Sequence, residues 1–173
     1  MPNFDQRDQA VNNQYNFVGD VHVTRQANPE PAALIRQGIA QLRGGAYLLA
    51  TGNLREALSL DSSIRRAYYY LSVALLKGRR PKLLSRSEMR EIDELLGAAI
   101  AIDEDDSLFH WFRALLRDDY YNSNGLICPH PTVSSVTAAA RAGRTDRGEL
   151  RTLLRDVELT GNTLYSALVK QLA

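Results

Sequence analysis

Residues 31–60 read PAALIRQGIAQLRGGAYLLATGNLREALSL, and this stretch decides the fold. Apolar and small residues recur at helical spacing on both sides of Gly44-Gly45, which interrupts the periodicity as a turn. The predicted elements are a helix from Ala32 to Arg43, with Pro31 pre-organising its first turn, and an antiparallel partner from Ala46 to Leu60. Gly38, Ala50 and Ala57 are small where two such helices must approach. Leu34, Tyr47 and Leu54 are large enough to fill the space between them. Gly52 works against the second helix by about 1 kcal/mol relative to alanine. The frame restarts at Arg65, 34 positions after Pro31. A helical unit of that period buries its apolar face by stacking on the next copy.

The turn Asp61-Ser62-Ser63 separates the two frames and offers a cap for a helix from Ile64 to Leu76. Its packing face is Ala67, Tyr68, Leu71, Ala74 and Leu75, and Gly78 ends it. The segment RRPKLLSRSE then lengthens the connection. Ser85 and Glu88 have capping-box spacing, so a helix resumes there with Ile92, Leu96, Ala99 and Ile102 as its buried stripe. A helix from Ser107 to Tyr121, capped by Asp106, has no closing partner in register, which makes about two and a half repeats. Past a break at 122–131 come a helix from Pro131 to Ala142 stopped by Gly143, and one led by Asp146 and Glu149 to Val157. A last helix, from Asn162 to Ala173, carries Leu164, Leu168 and Leu172 on one stripe. Short arrays need closed ends, so these helices are expected to cap the repeats or fold back on them.

Residues 1–28 differ in kind. From Val11 to Val23 the odd positions are Val11, Asn13, Tyr15, Phe17, Gly19, Val21 and Val23, mostly apolar, while the even ones are polar apart from Val18. This period-2 pattern predicts a short strand, or a hairpin turning at Gly19-Asp20. A lone strand leaves its edges unpaired. Its expected partner is the same segment in another copy or the edge of another protein, with Tyr15, Phe17, Val21 and Val23 as the assembly residues. The competing reading is a polar leader that merely alternates. The predicted organisation is therefore 1–28 as leader, 29–121 as the helical domain and 122–173 as C-terminal helices. The fold class is all-α with a short N-terminal β-segment.

Twenty-one basic residues against 20 acidic ones give a formal charge of +1, so there is no global attraction to nucleic acid or an anionic membrane. A single cysteine, Cys128, excludes an intrachain disulfide framework. No apolar run approaches the ~18–20 residues that span a bilayer. The opening MPNFDQRDQ lacks the layout of a signal peptide, so a cytoplasmic location is expected. His22, His110, Cys128 and His130 show no paired metal-ligand spacing. Asp103-Glu104-Asp105-Asp106 lacks the ligand alternation of a calcium loop. With no GxSxG, HExxH or phosphate-cradling glycine loop, the chain reads as non-enzymatic, with no catalytic residue, cofactor or metal expected.

The 34-residue frame resembles the tetratricopeptide repeat, whose antiparallel helical hairpins stack into a solenoid that binds proteins or peptides. The resemblance implies a groove lined by the opening helices. Equivalent positions there are Ile35, Tyr69 and Trp111, then Ile39, Val73 and Leu115, then Leu42, Leu76 and Asp118. This row is apolar for a surface facing water, so the C-terminal helices or a partner's amphipathic helix must fill it. Filling by the tail is expected, because so few repeats bury little area alone. Where repeats that clamp a C-terminal carboxylate carry Lys, Arg and Asn, this chain has Ala32, Ile35, Tyr69 and Leu108, which argues against a receptor for chaperone tails.

The expected partner-binding residues are Tyr69 and Trp111 together with the basic loop Arg79, Arg80 and Lys82. The wider basic stretch 77–90 and the C-terminal helices carry an alternative, a regulatory nucleic-acid-binding protein. There the segment from Thr137 to Leu153 mimics a helix-turn-helix except at Glu149 and Thr152.

The layout AYYYLSVALLKGRRPKLL, ELLGAAIAID and RDDYYNSNGL is similar to a family of bacterial tetratricopeptide-like proteins. The leader FDQRDQAVNNQYNFVGDVHV resembles short β-forming motifs placed ahead of interaction or effector domains in bacterial signalling and conflict systems. These likenesses imply a scaffold or adaptor. It would self-associate as a homo-oligomer through its leader, or recruit a protein partner such as an NTPase or protease-like effector.

Overall fold

The computed structural model describes residues 29–173. The expected strand or hairpin at 11–23, with Tyr15, Phe17, Val21 and Val23, lies outside them. The described residues form eight α-helices and no strand: α1 (Pro31–Arg43), α2 (Tyr47–Leu60), α3 (Arg65–Leu76), α4 (Arg86–Ile102), α5 (Ser107–Arg117), α6 (Val133–Ala142), α7 (Arg147–Asp156) and α8 (Thr163–Leu172).

The first hairpin follows from its small residues. Gly38 of α1 lies so close to α2 that a Cβ there would sit 2.8 Å from Leu54 Cγ and 3.4 Å from the Ala50 carbonyl oxygen. Ala50, Leu54 and Ala57 are fully buried in the same contact. The turn Asp61-Ser62-Ser63 does not supply the cap expected of it for α3. The Asp61 carboxylate accepts from the Ser63 amide and hydroxyl, and Ile64 occupies the cap position without a side-chain bond. The end of α3 is set by two successive left-handed residues, Lys77 (φ 54°) and Gly78 (φ 68°).

The long connection winds into one 3-10 turn, Pro81–Leu83. A complete capping box then opens α4: Ser85 Oγ accepts the Glu88 amide, and the Glu88 carboxylate accepts the Ser85 amide at 2.9 Å. Ile92, Leu96 and Ala99 are fully buried along α4, whereas Ile102 is 42 % exposed. Ile102 was expected on the buried stripe, but the helix ends there beside a polar cluster in which Asp103 pairs with Arg65 and Arg144.

Two further boundaries depart from expectation. Instead of running to Tyr121, the α-helical part of α5 stops at Arg117 and widens into one π turn, Asp118–Asn122. That turn carries Asp119 inward to full burial. α6 starts two residues after Pro131, because Thr132 supplies the cap by accepting the Ser135 amide. The reversal into α7 is pinned to the start of α5. The Arg144 amide donates to the Asp105 carbonyl at 2.6 Å, and Arg144 returns its carbonyl to the Ser107 amide. A Cβ on Gly143 would sit 2.6 Å from that same Asp105 oxygen, so only glycine fits.

One apolar core runs from Leu34 and Ile35 of α1, through α3 and α5, to Leu153 of α7 and Leu168 of α8. The segments 29–121 and 122–173 therefore share their burial.

Candidate functional site: a cleft between the helical body and its tail

The row expected to line the groove is mostly covered. Ile35, Tyr69 and Trp111 retain 7, 6 and 4 % of their surface. The Tyr69 hydroxyl donates to Asp156 of α7 at 2.9 Å. Burial, and then the Asp156 charge, pushes that hydroxyl's pKa upward. Trp111 shares a recess with Leu150 of α7 and with Leu168 and Leu172 of α8. Both rings, expected to meet a partner, are packed by the chain's own tail and present almost no surface to one in this state.

The basic loop is also engaged internally. Arg79 donates to Glu88 at 2.6 Å, with Lys77 3.6 Å from the same carboxylate. Arg80 pairs with the buried Asp119 and donates to the Thr160 carbonyl at 2.9 Å. Lys82 gives its amide to Asp119, while the residue itself is exposed. The loop thus ties α3 to α4, to the π turn and to the segment after α7. Local sequence signals only a run of cations, because each counter-charge except Glu88 lies far along the chain.

α7 does not fill the groove completely. A cleft of about 660 Å³ remains between α1–α3 and α7. Its floor is aliphatic (Ile39, Leu42, Val73, Leu76, Leu159), and its rim includes Arg43, Tyr47 and Arg155. Tyr70 and Thr152 line this cleft and also an adjoining hollow of about 470 Å³, which reaches Asp106, Asp146 and Glu149. Arg66 lies 5.5 Å over the Tyr70 ring. Burial, then the neighbouring Asp106 and Asp146 charges, raises the pKa of the Glu149 carboxyl. Arg43, Tyr70, Glu149, Thr152 and Arg155 were not expected as groove residues. The floor positions Ile39, Leu42, Val73 and Leu76 carried a periodic signal, and Arg79 and Arg80, expected as partner-binding residues, also line the cleft.

Among the described residues, no group of three His, Cys, Asp or Glu side chains is placed to hold a metal ion. No described helix is long and apolar enough to cross a membrane. Comparison with protein-family models, with characterised proteins and with solved structures finds no match. The fold defines the class: an all-helical, repeat-like protein. Its particular feature is a groove covered by the C-terminal helices, beside which a recess with a mostly buried aliphatic floor and polar walls remains.

Proposed function

We propose that the chain is a non-enzymatic interaction scaffold with a tetratricopeptide-like body, and that the cleft between α1–α3 and α7 receives a short segment of a partner protein. One observation carries the reading. Within a groove whose apolar positions are otherwise buried, a recess of about 660 Å³ stays open, with Leu42, Tyr47 and Tyr70 partly exposed in its walls. Its volume falls in the range of about 300–1,000 Å³ usual for ligand sites. The internal pairing of Arg79 and Arg80 disfavours the nucleic-acid alternative, since phosphates would have to displace Glu88 and a buried Asp119.

Self-association through residues 1–28, and a place in a bacterial signalling or defence-type complex with an NTPase or protease-like effector, complete the proposal. They rest on the alternation at 11–23 and on the family resemblance.

The test is selection from a random displayed-peptide library on the full chain, followed by binding to a Thr152→Trp variant. Thr152 lines both halves of the groove, and an indole there plugs it. The expected result is enriched peptides whose binding is lost in the variant while its helicity is kept. No enrichment, or undiminished binding to the plugged variant, contradicts the reading.

A further inference from the structure

Helix α7 carries different charges on its two flanks. Asp146 and Glu149 line the hollow that faces α3. Arg147 instead lines the recess of about 620 Å³ that holds Trp111, together with Arg141, Thr145 and Gln171. No acidic residue lines that recess, and α6 and α8, which form two of its walls, contain none. Its floor of Trp111, Leu150 and Leu168 is buried core, so only the polar mouth is open to a partner.

Helix ends account for where the cations stand. Arg141 is in the last turn of α6. Arg147 and, one turn further on, Arg151 donate to the Gln171 and Leu172 carbonyls at the end of α8, at 3.3 and 2.9 Å. A helix C-terminus carries only about half an elementary negative charge. Two such ends leave most of three full positive charges uncompensated. Each bond to α8 also uses a single N–H of a guanidinium that has five.

Arg141, Arg147 and Arg151 are all exposed, and none has an ion-pair partner among the described residues. The arginines on either side differ, since Arg144 pairs with Asp103 and Arg155 lies 3.7 Å from Asp156. The neighbouring acids face elsewhere or stand at the border. Asp146 caps α7 and lines the other hollow with Glu149, and Glu104 and Asp105 belong to the turn that Gly143 abuts. The basic surface therefore ends at the α6–α7 turn and at the far flank of α7.

We propose that this surface takes a short acidic segment of a partner protein, whose carboxylates pair with Arg141, Arg147 and Arg151. A guanidinium fork matches a carboxylate with two parallel hydrogen bonds. Arg147 and Arg151 are four helical residues apart, a rise of about 6 Å. Carboxylates on alternate residues of an extended segment are about 6.6 Å apart, so the partner's acids fall at alternate positions. A nucleic-acid backbone fits less well. Three arginines fall short of the roughly 6–10 phosphate contacts that make polyanion binding strong. The bordering carboxylates oppose a longer polyanion, and a formal charge of +1 gives it no long-range attraction. The surface lies on the opposite flank of α7 from the proposed cleft and does not depend on it.

Fluorescence anisotropy of labelled peptides on the full chain reads the affinity. The probe carries glutamate at three alternate positions among serines, and the controls replace those glutamates with glutamine or with lysine. The glutamate peptide is expected to bind about ten-fold tighter than the glutamine peptide, the factor three exposed ion pairs supply. That margin disappears in about 1 M salt. Arg141→Gln with Arg147→Gln removes it, and Arg141→Glu with Arg147→Glu makes the lysine peptide the preferred ligand. Arg90→Glu, on the exposed face of α4, leaves the margin unchanged, as does Thr152→Trp in the cleft. Far-UV circular dichroism shows that each variant keeps its helicity.

Equal affinity for the glutamate and glutamine peptides, or a margin that survives both arginine variants, overturns the inference. Tighter binding of a single-stranded oligonucleotide of the same charge, lost in the same variants, overturns it too, because the surface would then be a nucleic-acid site.

Discussion

Replacing Gly38 with alanine sets two effects of opposite sign against each other. Alanine in a helix interior gains about 1 kcal/mol over glycine through its lower backbone entropy in the unfolded chain. At Gly38 the added Cβ would sit 2.8 Å from Leu54 Cγ and 3.2 Å from its Cδ2. Leu54 is fully buried and cannot swing into solvent. Overpacking of this kind costs about 1–3 kcal/mol, so packing wins and the net loss is about 1 kcal/mol.

Gly52 of α2 is the control, because a Cβ there meets nothing within 4 Å. Gly52→Ala should keep the whole propensity gain of about 1 kcal/mol. In a domain of this size, that corresponds to melting shifts of about 2–4 °C, down for Gly38→Ala and up for Gly52→Ala. Urea and thermal melts followed by far-UV circular dichroism read both. If Gly38→Ala stabilises as much as Gly52→Ala, α1 and α2 do not approach as described, and the first hairpin is wrong.

Three further outcomes are expected. Asp119→Ala leaves Arg80 and the Lys82 amide without their buried acceptor. It should cost about 3 kcal/mol of unfolding free energy, read as a lower urea midpoint, and an unchanged midpoint would mean that the basic loop is not docked. Glu88 bonds first to the Ser85 amide and then to Arg79, which lowers its pKa from 4.5 to about 2. A lowered carboxyl stabilises fully above its unfolded value, and the contribution is lost as pH falls from about 4.5 through about 2. Because the carboxylate is partly exposed to solvent, screening holds that contribution to about 1 kcal/mol. Glu88→Gln should flatten this part of the stability–pH curve, and identical curves would count against the capping box. Finally, light scattering should show an oligomer for the full chain, a monomer for a chain beginning at Gln26, and weakened association for Phe17→Ala. The same mass in all three would remove the assembly role of the leader.

What could be read from the sequence was local. The Gly44-Gly45 turn, the Ser85–Glu88 box and the approach of Gly38 to Ala50 and Leu54 follow from short-range spacing, and each is present in the fold. The polar contacts that shape the site join distant positions. Arg80 meets Asp119 39 residues away, and Tyr69 meets Asp156 87 residues away. No periodicity signals either pair. Asp119 follows Phe112, Leu115 and Leu116 on one helical face, so spacing alone places it inward, but nothing local shows which cation it meets there. The open cleft was hidden for a similar reason. Its floor reads as ordinary groove residues, and its rim exists only because α7 stops short of filling the space.

Mapping amide chemical shifts of the full chain as a library-selected peptide is added tests the central claim most directly. Perturbations centred on Val73, Leu76, Tyr70 and Thr152 and extending to Arg43 and Glu149 are the predicted result. Perturbations confined to the exposed Leu48–Leu49 pair of α2 or to Ile127, with the cleft unmoved, would contradict it.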